Sequence, residues 1–267
     1  MGFTSMVQAQ WIENPEAWLK KEYLFSPNTI KKHGIDSLCG TYYVRYGKGV
    51  FHKTGGQIFL QFDEGGRATR IQQYKPDSPW LDSLTFTYQY SPSGQLQEEK
   101  ISDRYGFSQI NFQYPKYNLH EESHYIGLQD GRSMLANEVE IHRLKGQNAI
   151  WEIHESYKNG NLFKKSSCFK DPVNFDSTVV QVTYPSLDTT FKTYRYQENR
   201  LIGIEVRFEQ QLDEIEINYD PQGEIISIHR SSNQEKTEEI QFIYSDSRLA
   251  SAVFYSLAQQ RMEIVKF

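Results

Sequence analysis

Apolar and polar residues alternate along most of the chain after residue 40, and short turns separate the alternating runs. In the clearest case, residues 215–219 read Ile-Glu-Ile-Asn-Tyr and residues 224–228 read Glu-Ile-Ile-Ser-Ile, on either side of Asp-Pro-Gln-Gly (220–223). Alternation over four to eight residues is typical of a strand that is buried on one face. Pro221 presets φ at the first corner, and Gly223 can adopt a positive φ. The segment is therefore predicted to be a β-hairpin.

The same hairpin pattern recurs along the chain. Each copy has an aromatic residue at the end of one strand, a polar turn, and in most copies an aliphatic residue at the start of the return strand. The copies are residues 62–66, 90–96, 114–119, 157–162, 196–201, 219–225 and 244–249. Most neighbouring copies lie about 23 to 28 residues apart, the length of two strands and two turns, and two gaps are nearer 40. We interpret the pattern as a degenerate repeat of β-hairpins.

Two of these copies resemble known repeat families. Tyr-Asp-Pro-Gln-Gly-Glu-Ile (219–225) resembles the Tyr-Asp-x-x-Gly-x-Leu unit of YD-repeat proteins of the Rhs and teneurin type. Tyr-Lys-Asn-Gly-Asn-Leu (157–162) resembles the hexad of MORN-variant repeats. Both families are arrays of β-hairpins in secreted or bacterial-surface proteins, where they act as scaffolds or shells. The resemblance covers residues 57–267 and implies a β scaffold outside the cytoplasm.

The remaining strand signals extend the hairpins into one series. Predicted strands are residues 41–46, 50–53, 57–62, 67–74, 84–90, 95–101, 107–114, 139–144, 149–157, 162–169, 178–184, 190–196, 201–208, 214–219, 224–230, 238–244, 248–255 and 261–267. Strands joined by short turns are antiparallel neighbours. The predicted fold is all-β, a long antiparallel meander of repeated hairpins that forms either an open twisted sheet or an up-and-down barrel. Residues 119–132 give the weakest signal.

Two short helices are predicted before the first strand. Asn14 can cap a helix with Pro15 at its first position, and Ser26-Pro27 repeats that signal before a stop at Gly34. We therefore divide the chain into an N-terminal helical segment, residues 1–38, and an antiparallel β domain, residues 39–267. Residues 1–9 end in a small-residue pattern that resembles a signal-peptidase site, so they are a candidate signal-peptide remnant.

Composition excludes some functions. The 267 residues carry a net charge of −5, and the 29 Lys and Arg are scattered, which argues against nucleic acid as a partner because its recognition needs a basic face. The longest apolar runs are only a few residues, so no transmembrane helix is expected. Aromatic residues reach 14%, which suits strands first and sugar-stacking surfaces second.

The two cysteines are Cys39 and Cys168. They could form one disulfide in an oxidising compartment or remain two free thiols, and the sequence favours free thiols. Neither lies in a Cys-x-x-Cys pair or beside a histidine cluster, so a redox or zinc motif is not supported.

One motif could bind a metal. His-Glu-Glu-Ser-His (120–124) matches the His-Glu-x-x-His of zinc metalloproteases, with Glu121 in the position of the general base. The chemistry needs a helix, because in a strand the two imidazoles would lie roughly 13 Å apart at about 3.3 Å per residue. A third ligand would have to be Glu138 or Glu140. Since the repeat predicts a strand here, a solvated polar strand or loop is favoured, and no catalytic, cofactor or metal residue is assigned.

Three functions remain open, in this order. The first is a non-enzymatic extracytoplasmic binding or scaffold protein that presents an aromatic-rich β surface to a protein or glycan. The second is a calycin-like barrel that binds an apolar small molecule, with the N-terminal helices as lid or plug. Gly40-Thr41-Tyr42 resembles the lipocalin Gly-x-Trp start, and such a pocket could host a lyase or isomerase that leaves no motif. The third is the zinc metalloprotease. The expected location is periplasmic, cell-surface or secreted, with the cytoplasm as the alternative.

Overall fold

The computed structural model describes residues 27–74, 76, 83–116, 118–128, 131–145, 151–171, 177–198, 200–246 and 248–267. This part of the chain contains helix α1 (Pro27–Lys32) and eighteen strands. The strands are β1 (Ser37–Tyr46), β2 (His52–Phe62), β3 (Ala68–Tyr74), β4 (Ser83–Tyr90), β5 (Leu96–Ser102), β6 (Gly106–Lys116), β7 (Leu119–Leu128), β8 (Ser133–Lys145), β9 (Trp151–Lys158), β10 (Asn161–Lys170), β11 (Ser177–Thr183), β12 (Asp188–Gln197), β13 (Arg200–Phe208), β14 (Gln211–Tyr219), β15 (Ile225–Ser232), β16 (Glu235–Ser245), β17 (Arg248–Ser256) and β18 (Arg261–Lys266).

The strands form one closed antiparallel barrel. Each strand pairs with the next in the chain, and β18 returns to pair with β1, with Tyr42 opposite Val265. This last pairing leaves the sheet without an unpaired edge, which is the property that distinguishes a barrel from an open sheet. The predicted all-β meander is confirmed. The open-sheet alternative is wrong, because the first and last strands are hydrogen-bonded.

One detail of the predicted elements needs correction, and another lies outside the described residues. Residues 54–56 were expected to be a turn between two strands, but β2 runs through them from His52 to Phe62. The irregularity there is a β-bulge: the register against β1 shifts between Thr41 and Tyr43, and Gly55 has a φ of 78°. Of the two expected helices, the second is α1, and the first falls on residues 14–23, outside the described part of the chain.

The barrel wall has an apolar inner face and a polar outer face over much of its circumference. Residues opposite each other in register lie on the same face of a sheet. Ile217, Ile228, Ile240 and Phe254 are successive partners across β14 to β17 and are 3% to 7% exposed. The next row on the other face is polar, and its members on β14 to β16 are Asn218, Ser227 and Gln241. The buried row therefore points into the barrel.

Side chains fill the interior between β12 and β5, counted through the β18–β1 junction. The buried residues of these strands form a single core cluster, which also contains Ile30 of helix α1. Ile30 is 1% exposed, and the amide of Phe62 donates to the carbonyl of Asp36, just after the helix. A barrel of eighteen strands is wide enough for a channel when it is round. Here helix α1 and the side chains of the core cluster occupy that space.

The two ends of the barrel differ. We call the end with the β2–β3, β4–β5 and β14–β15 turns the latched end, and the end with the β1–β2, β13–β14 and β17–β18 turns the open end. Six of the seven predicted repeat copies form turns at the latched end, and the copy at 157–162 forms the β9–β10 turn at the open end. The two long gaps in the repeat flank this copy. In the interval they span, the sequences that connect β8 to β9 and β10 to β11 do not match the repeat pattern.

A hydrogen bond links three of the latched-end copies to the copy before them. The hydroxyls of Tyr114, Tyr219 and Tyr244 donate to the carbonyls of the aliphatic residue in the preceding copy. These acceptors are Leu96 at 3.0 Å, Leu201 at 2.8 Å and Ile225 at 2.9 Å, respectively. The bond gives a structural reason for the tyrosine. The acceptor is a main-chain carbonyl, and the aliphatic side chains of Leu96, Leu201 and Ile225 pack against the core instead.

The glycine at 66 provides a test of how α1 is held. A Cβ at Gly66 would lie 2.0 Å from the carbonyl oxygen of Pro27 and 3.0 Å from the amide nitrogen of Lys31. Gly160 has nearly the same φ, 79° against 77°, with nothing within 4 Å of its Cβ position. Both alanine variants incur the left-handed backbone cost of about 1 kcal/mol. We expect Gly66→Ala to lose about 2 kcal/mol more of unfolding free energy than Gly160→Ala, measured by urea titration. Equal losses would mean that α1 does not constrain the turn.

The tyrosine latch gives a second prediction. Burial raises the pKa of Tyr219 from 10.0 to about 12. Tyr219→Phe removes the bond to Leu201 and is expected to cost about 1 kcal/mol at neutral pH. An unfolded tyrosine ionises near its ordinary pKa while the folded one keeps its proton, so Tyr219 stabilises the wild type fully below pH 10, and this contribution is lost as the pH rises toward 12. The stability difference between wild type and variant should therefore narrow across that window.

Thermal unfolding monitored by circular dichroism from pH 8 to pH 12 would measure this difference. Tyr105→Phe is the control, because Tyr105 is 59% exposed and lies in an open-end turn. A Tyr219→Phe variant that tracked the Tyr105→Phe variant at every pH would show that the latch contributes nothing to stability.

Candidate functional site

A cavity of about 920 Å³ lies at the open end, between the β13–β14, β15–β16 and β17–β18 hairpins. Its apolar lining consists of Val206, Ile215, Ile240 and Phe254. Ile240 and Phe254 belong to the core cluster, and Val206 and Ile215 pack against it. The cavity therefore begins where the filled part of the barrel ends. Its apolar lining is the boundary of the core cluster on the side of the open end.

Two ion pairs line the same cavity. The Nη1 of Arg230 lies 3.0 Å from the Oε2 of Glu238, and the Nη2 of Arg261 lies 3.0 Å from the Oε2 of Glu263. Arg230 and Glu238 are opposite each other on β15 and β16, while Arg261 and Glu263 are two residues apart on β18. All four occupy inward positions of the alternation, so the charges point into the barrel.

Hydroxyl groups complete the polar lining. The hydroxyl of Ser232 donates to the Oδ1 of Asp213 over 2.7 Å, and that of Thr237 donates to the carbonyl of Arg230 over 3.2 Å. Ser256 also lines the cavity. It is the partner of Arg261 in the β17–β18 register.

Glu263 is the most buried charged group of the cavity, at 5% exposure. Burial, and then the charge of Glu263, raise the pKa of the nearby Tyr42 hydroxyl well above its usual value. A carboxylate at this depth is stable when a guanidinium and hydrogen bonds compensate for lost hydration. The Arg261 contact supplies that compensation and fixes one wall of the cavity.

The arrangement suits an amphipathic ligand. The apolar residues can contact a hydrophobic body, and the serines, guanidiniums and carboxylates can contact a polar end near the mouth. Ligand sites in proteins combine such an apolar lining with a few convergent polar groups. The carboxylates of Glu238 and Glu263 pair with arginines, and that of Asp213 accepts a hydrogen bond from Ser232.

The His-Glu-x-x-His segment lies elsewhere and does not have zinc-protease geometry. Residues 119–128 form strand β7. His124 continues an inward row from the buried Tyr88 through Glu99 and Ile110. His120 and Glu122 alternate with His124 on that face, and Glu121 points to the other face. The predicted strand is confirmed, and the helix that zinc would need is absent from these residues.

Glu122 lies between the two histidines. Its Oε2 is 2.9 Å from the Nε2 of His124, and its Oε1 is 3.7 Å from the Nε2 of His120. The candidate third ligands Glu138 and Glu140 are paired with Ser123 and Glu121, on the outward face. The structure therefore separates them from the histidines. No group of three metal-ligating side chains is placed to hold an ion within the described ranges.

These inward residues belong to a polar wall, which we define as the inner face of β7 to β10. Its other charged members include Arg143 on β8 and the pair Glu152–His154 on β9, with 2.9 Å between carboxylate and imidazole. The ring of His120 stacks on Tyr114, with centroids 4.9 Å apart. The barrel interior is thus apolar over β12 to β5 and polar over β7 to β10.

A smaller groove of about 230 Å³ lies on the outside of β8 and β9. Lys165 donates to Glu155 over 2.8 Å. This bond lowers the pKa of the Glu155 carboxyl and raises that of the Lys165 ammonium. A second bond, from the hydroxyl of Tyr157 to Glu155, raises the pKa of Tyr157. The groups are solvent-accessible and satisfy one another, so the groove is less suited to hold a ligand than the open-end cavity.

Both cysteines are free thiols. Cys39 is exposed on the outward face of β1, next in sequence to the inward Leu38. Cys168 lies opposite Glu152 on the inward face of β10, and burial raises the pKa of its thiol. The two residues are on opposite faces of the wall, in agreement with the free thiols favoured by the sequence.

Sequence reasoning did not identify the open-end cavity. A usable signal is present: Arg230, Glu238 and Glu263 stand at positions that the alternation gives to apolar residues, two places from Ile228, Ile240 and Val265. A charge in the inward phase of an otherwise apolar strand marks a place where the core stops. The three charged residues come together in one cavity only through the strand register across β14 to β18.

Comparisons with known proteins give little. No protein-family model matches the chain, and no curated protein sequence matches it significantly. Among solved structures, a porin-like protein from Bacteroides vulgatus is similar at 9% identity and a TM-score of 0.38, over 68% of this chain and 92% of that one. A porin-like protein from Bacteroides uniformis is similar at 10% identity and a TM-score of 0.39, over 86% and 95%. At these values the likeness carries no argument about function.

No helix within the described residues has the length and apolarity needed to cross a bilayer.

The two ion pairs of the cavity differ in burial, which predicts different consequences of breaking them. Arg261→Met leaves the Glu263 side chain, 7% exposed, without its guanidinium, and is expected to cost about 3 kcal/mol of unfolding free energy. Arg230→Met removes the partner of Glu238, which is 44% exposed, and is expected to cost less than about 1 kcal/mol. Urea unfolding measures both. A loss from Arg230→Met as large as that from Arg261→Met would contradict the assignment of Glu263 as the buried charge.

Proposed function

We propose that this barrel is a non-enzymatic binding protein that holds an amphipathic small molecule in the open-end cavity. The observation that carries the proposal is the position of the cavity. It lies at the surface of the apolar core, and ion pairs and hydroxyls surround the mouth. The proposal corresponds to the calycin-like hypothesis drawn from the sequence, with α1 as the plug of the latched end.

The lining indicates the kind of ligand. The inward charges are the carboxylates of Asp213, Glu238 and Glu263 and the guanidiniums of Arg230 and Arg261. Both signs are present, and two of the three carboxylates pair with the two guanidiniums, so the cavity suits a polar end that is uncharged or zwitterionic better than an anionic one. The apolar body would contact Ile240 and Phe254, which are 5% and 7% exposed.

The outer wall supports a barrel surrounded by water over β14 to β16. Most outward residues there are polar, with the exposed Ile226 and Ile243 near the latched end as exceptions, whereas a membrane-spanning barrel carries an apolar band about 25 Å tall on its outside. The extracytoplasmic location expected from the sequence is not tested by this polarity and stays a prediction. So does kinship with YD-repeat or MORN-variant proteins.

A second candidate function is partner binding on the outside of the barrel, the reading that the sequence placed first. One observation favours it: the outer wall of β8 to β12 exposes large apolar side chains. Trp151 is opposite Phe169, and Val180 is opposite Phe191, with the three aromatics 42% to 50% exposed. A protein or glycan bound there would be insensitive to changes inside the cavity.

Filling the cavity tests the proposal. Ser256 lines it, and Ser251 lies on the same strand but faces outward, opposite Ile243. The probe is N-phenyl-1-naphthylamine, a neutral apolar molecule whose fluorescence rises in a dry site. We expect Ser256→Trp to raise the Kd of the probe at least about tenfold, which corresponds to about 1.4 kcal/mol, because the indole occupies the cavity. Ser251→Trp should bind like wild type.

Circular dichroism and thermal unfolding of both variants verify that each still folds. Identical probe affinity in the two tryptophan variants would place the probe outside the cavity and refute the proposed site. Absence of probe binding by the wild type would refute the apolar part of the proposal.

A further inference from the structure

Large apolar side chains are exposed on successive turns of the open end. They lie in the turns themselves or within the last residues of the adjoining strands. The set consists of Tyr46, Val50, Tyr74, Tyr105, Ile126, Leu128, Met134, Leu135, Leu187 and Phe208, with exposed fractions from 37% to 72%. We call them the open-end ring. Surface clusters of this kind on a water-soluble wall mark places where another phase or molecule is contacted.

The β7–β8 hairpin forms the most apolar part of the ring. Ile126 and Met134 are opposite each other in register, and they are 56% and 67% exposed. Leu128 and Leu135 add exposures of 52% and 45% on the same hairpin. β8 is the longest strand of the barrel, with 13 residues.

Arginines lie over two aromatic members of the ring and over Phe51 of the β1–β2 turn. The guanidinium of Arg104 lies 4.8 Å from the ring centroid of Tyr105 and donates to its hydroxyl over 2.6 Å. Arg261, whose guanidinium also pairs with Glu263 in the cavity, lies 5.9 Å from the ring centroid of Tyr46. Arg45 lies over Phe51 of the β1–β2 turn, 4.9 Å from its centroid. Apolar tips with tyrosines and cations beside them match the layers of a bilayer surface, where aromatics sit at the headgroups and cations meet anionic lipid.

The distribution of the ring favours a lipid surface over a protein partner. Its members come from the β1–β2, β3–β4, β5–β6, β7–β8, β11–β12 and β13–β14 connections, which all face the same direction from one end of the barrel. An extended fluid surface can contact all these tips at once. A folded partner would have to be shaped to a ring that is interrupted by polar residues.

We propose that the open end docks on an anionic lipid bilayer, with the β7–β8 hairpin tip entering the headgroup and acyl boundary. The inference rests on the proposed function in one respect. The ligand cavity opens at the same end, so a docked barrel would exchange an amphipathic ligand directly with the bilayer. An amphipathic element of this kind binds through its buried apolar area together with attraction to anionic lipid.

Vesicle co-sedimentation tests the docking. The vesicles contain phosphatidylcholine and phosphatidylglycerol in a ratio of three to one, and a second set contains phosphatidylcholine alone. We expect the full chain to bind the anionic vesicles more tightly, and added salt to weaken this binding. Ile126→Ser combined with Met134→Ser should lower the partition coefficient at least about tenfold, because the tip loses its apolar contact.

The matched control is Ile226→Ser combined with Ile243→Ser. These two isoleucines are 41% and 49% exposed and lie near the latched end, on β15 and β16. Equal loss of vesicle binding in both double variants, or no binding by the wild type, would overturn the docking. Light scattering provides one more contrary outcome. If the wild type bound no vesicles and the hairpin variant changed the oligomeric state, the ring would be a contact between two copies of the protein, and docking would be overturned.

The cavity variant separates this inference from the proposed function. Ser256→Trp should keep vesicle binding while it loses the naphthylamine probe, and the hairpin variant should keep the probe. A wild type that binds vesicles and not the probe would refute the ligand site and leave docking intact. A wild type that binds the probe and not vesicles would refute docking and leave the ligand site intact.

Discussion

The antiparallel pairing of β1 with β18 is the contact on which the rest of this structure depends. It joins residues more than two hundred positions apart, with Tyr42 opposite Val265 and Val44 opposite Glu263. Because the sheet closes there, one face of every strand becomes an interior face, and alternation along each strand decides what the interior contains. Closure also brings β18 and its Glu263 beside the hydroxyl of Tyr42, so the buried charge of the cavity belongs to the seam itself.

The latched end shows how a repeat of hairpins can be regular without being similar in sequence. The tyrosine hydroxyl of one copy is bound by the carbonyl of the previous copy, and the arginine before the aliphatic residue extends over the next copy. Arg67 lies 4.6 Å from the ring centroid of Tyr90, and Arg200 lies 5.8 Å from that of Tyr219. Between the copies at 196–201 and 219–225 both contacts occur, so two interactions hold these neighbouring hairpins together. Only the aromatic, the aliphatic residue and the turn geometry need to be maintained, which accounts for the degeneracy of the pattern.

Local chemistry made the hairpins predictable. Asp220, Pro221 and Gly223 define one turn, and the alternation around it gives the two strands correctly. The same reasoning kept His120 and His124 in a strand despite a zinc-protease motif. What local chemistry could not supply is any contact between distant segments. Residues 54–56 read as a turn because two adjacent glycines usually mark one, and only the register opposite Tyr42 turns them into a bulge. Closure and the cavity are of the same kind, since both depend on which strand lies beside which.

The inner face of the barrel is divided between two chemistries, and this division has a mechanical consequence. Over β12 to β5 the walls hold each other through a continuous apolar core, which excludes water and fixes their spacing. Over β7 to β10 the inward groups are mostly polar, with Val139 and Ile141 among them, and the polar groups stabilise the structure mainly through their pairs, for example Glu122 with His124 and Glu152 with His154. Paired polar groups hold a wall less firmly than apolar packing, because water can compete for each of them. The β7–β8 hairpin extends from this less firmly held wall, and it carries the apolar tip at the open end. The cavity therefore lies against the side of the barrel that apolar packing holds, and the proposed lipid contact lies on the side that is held less firmly.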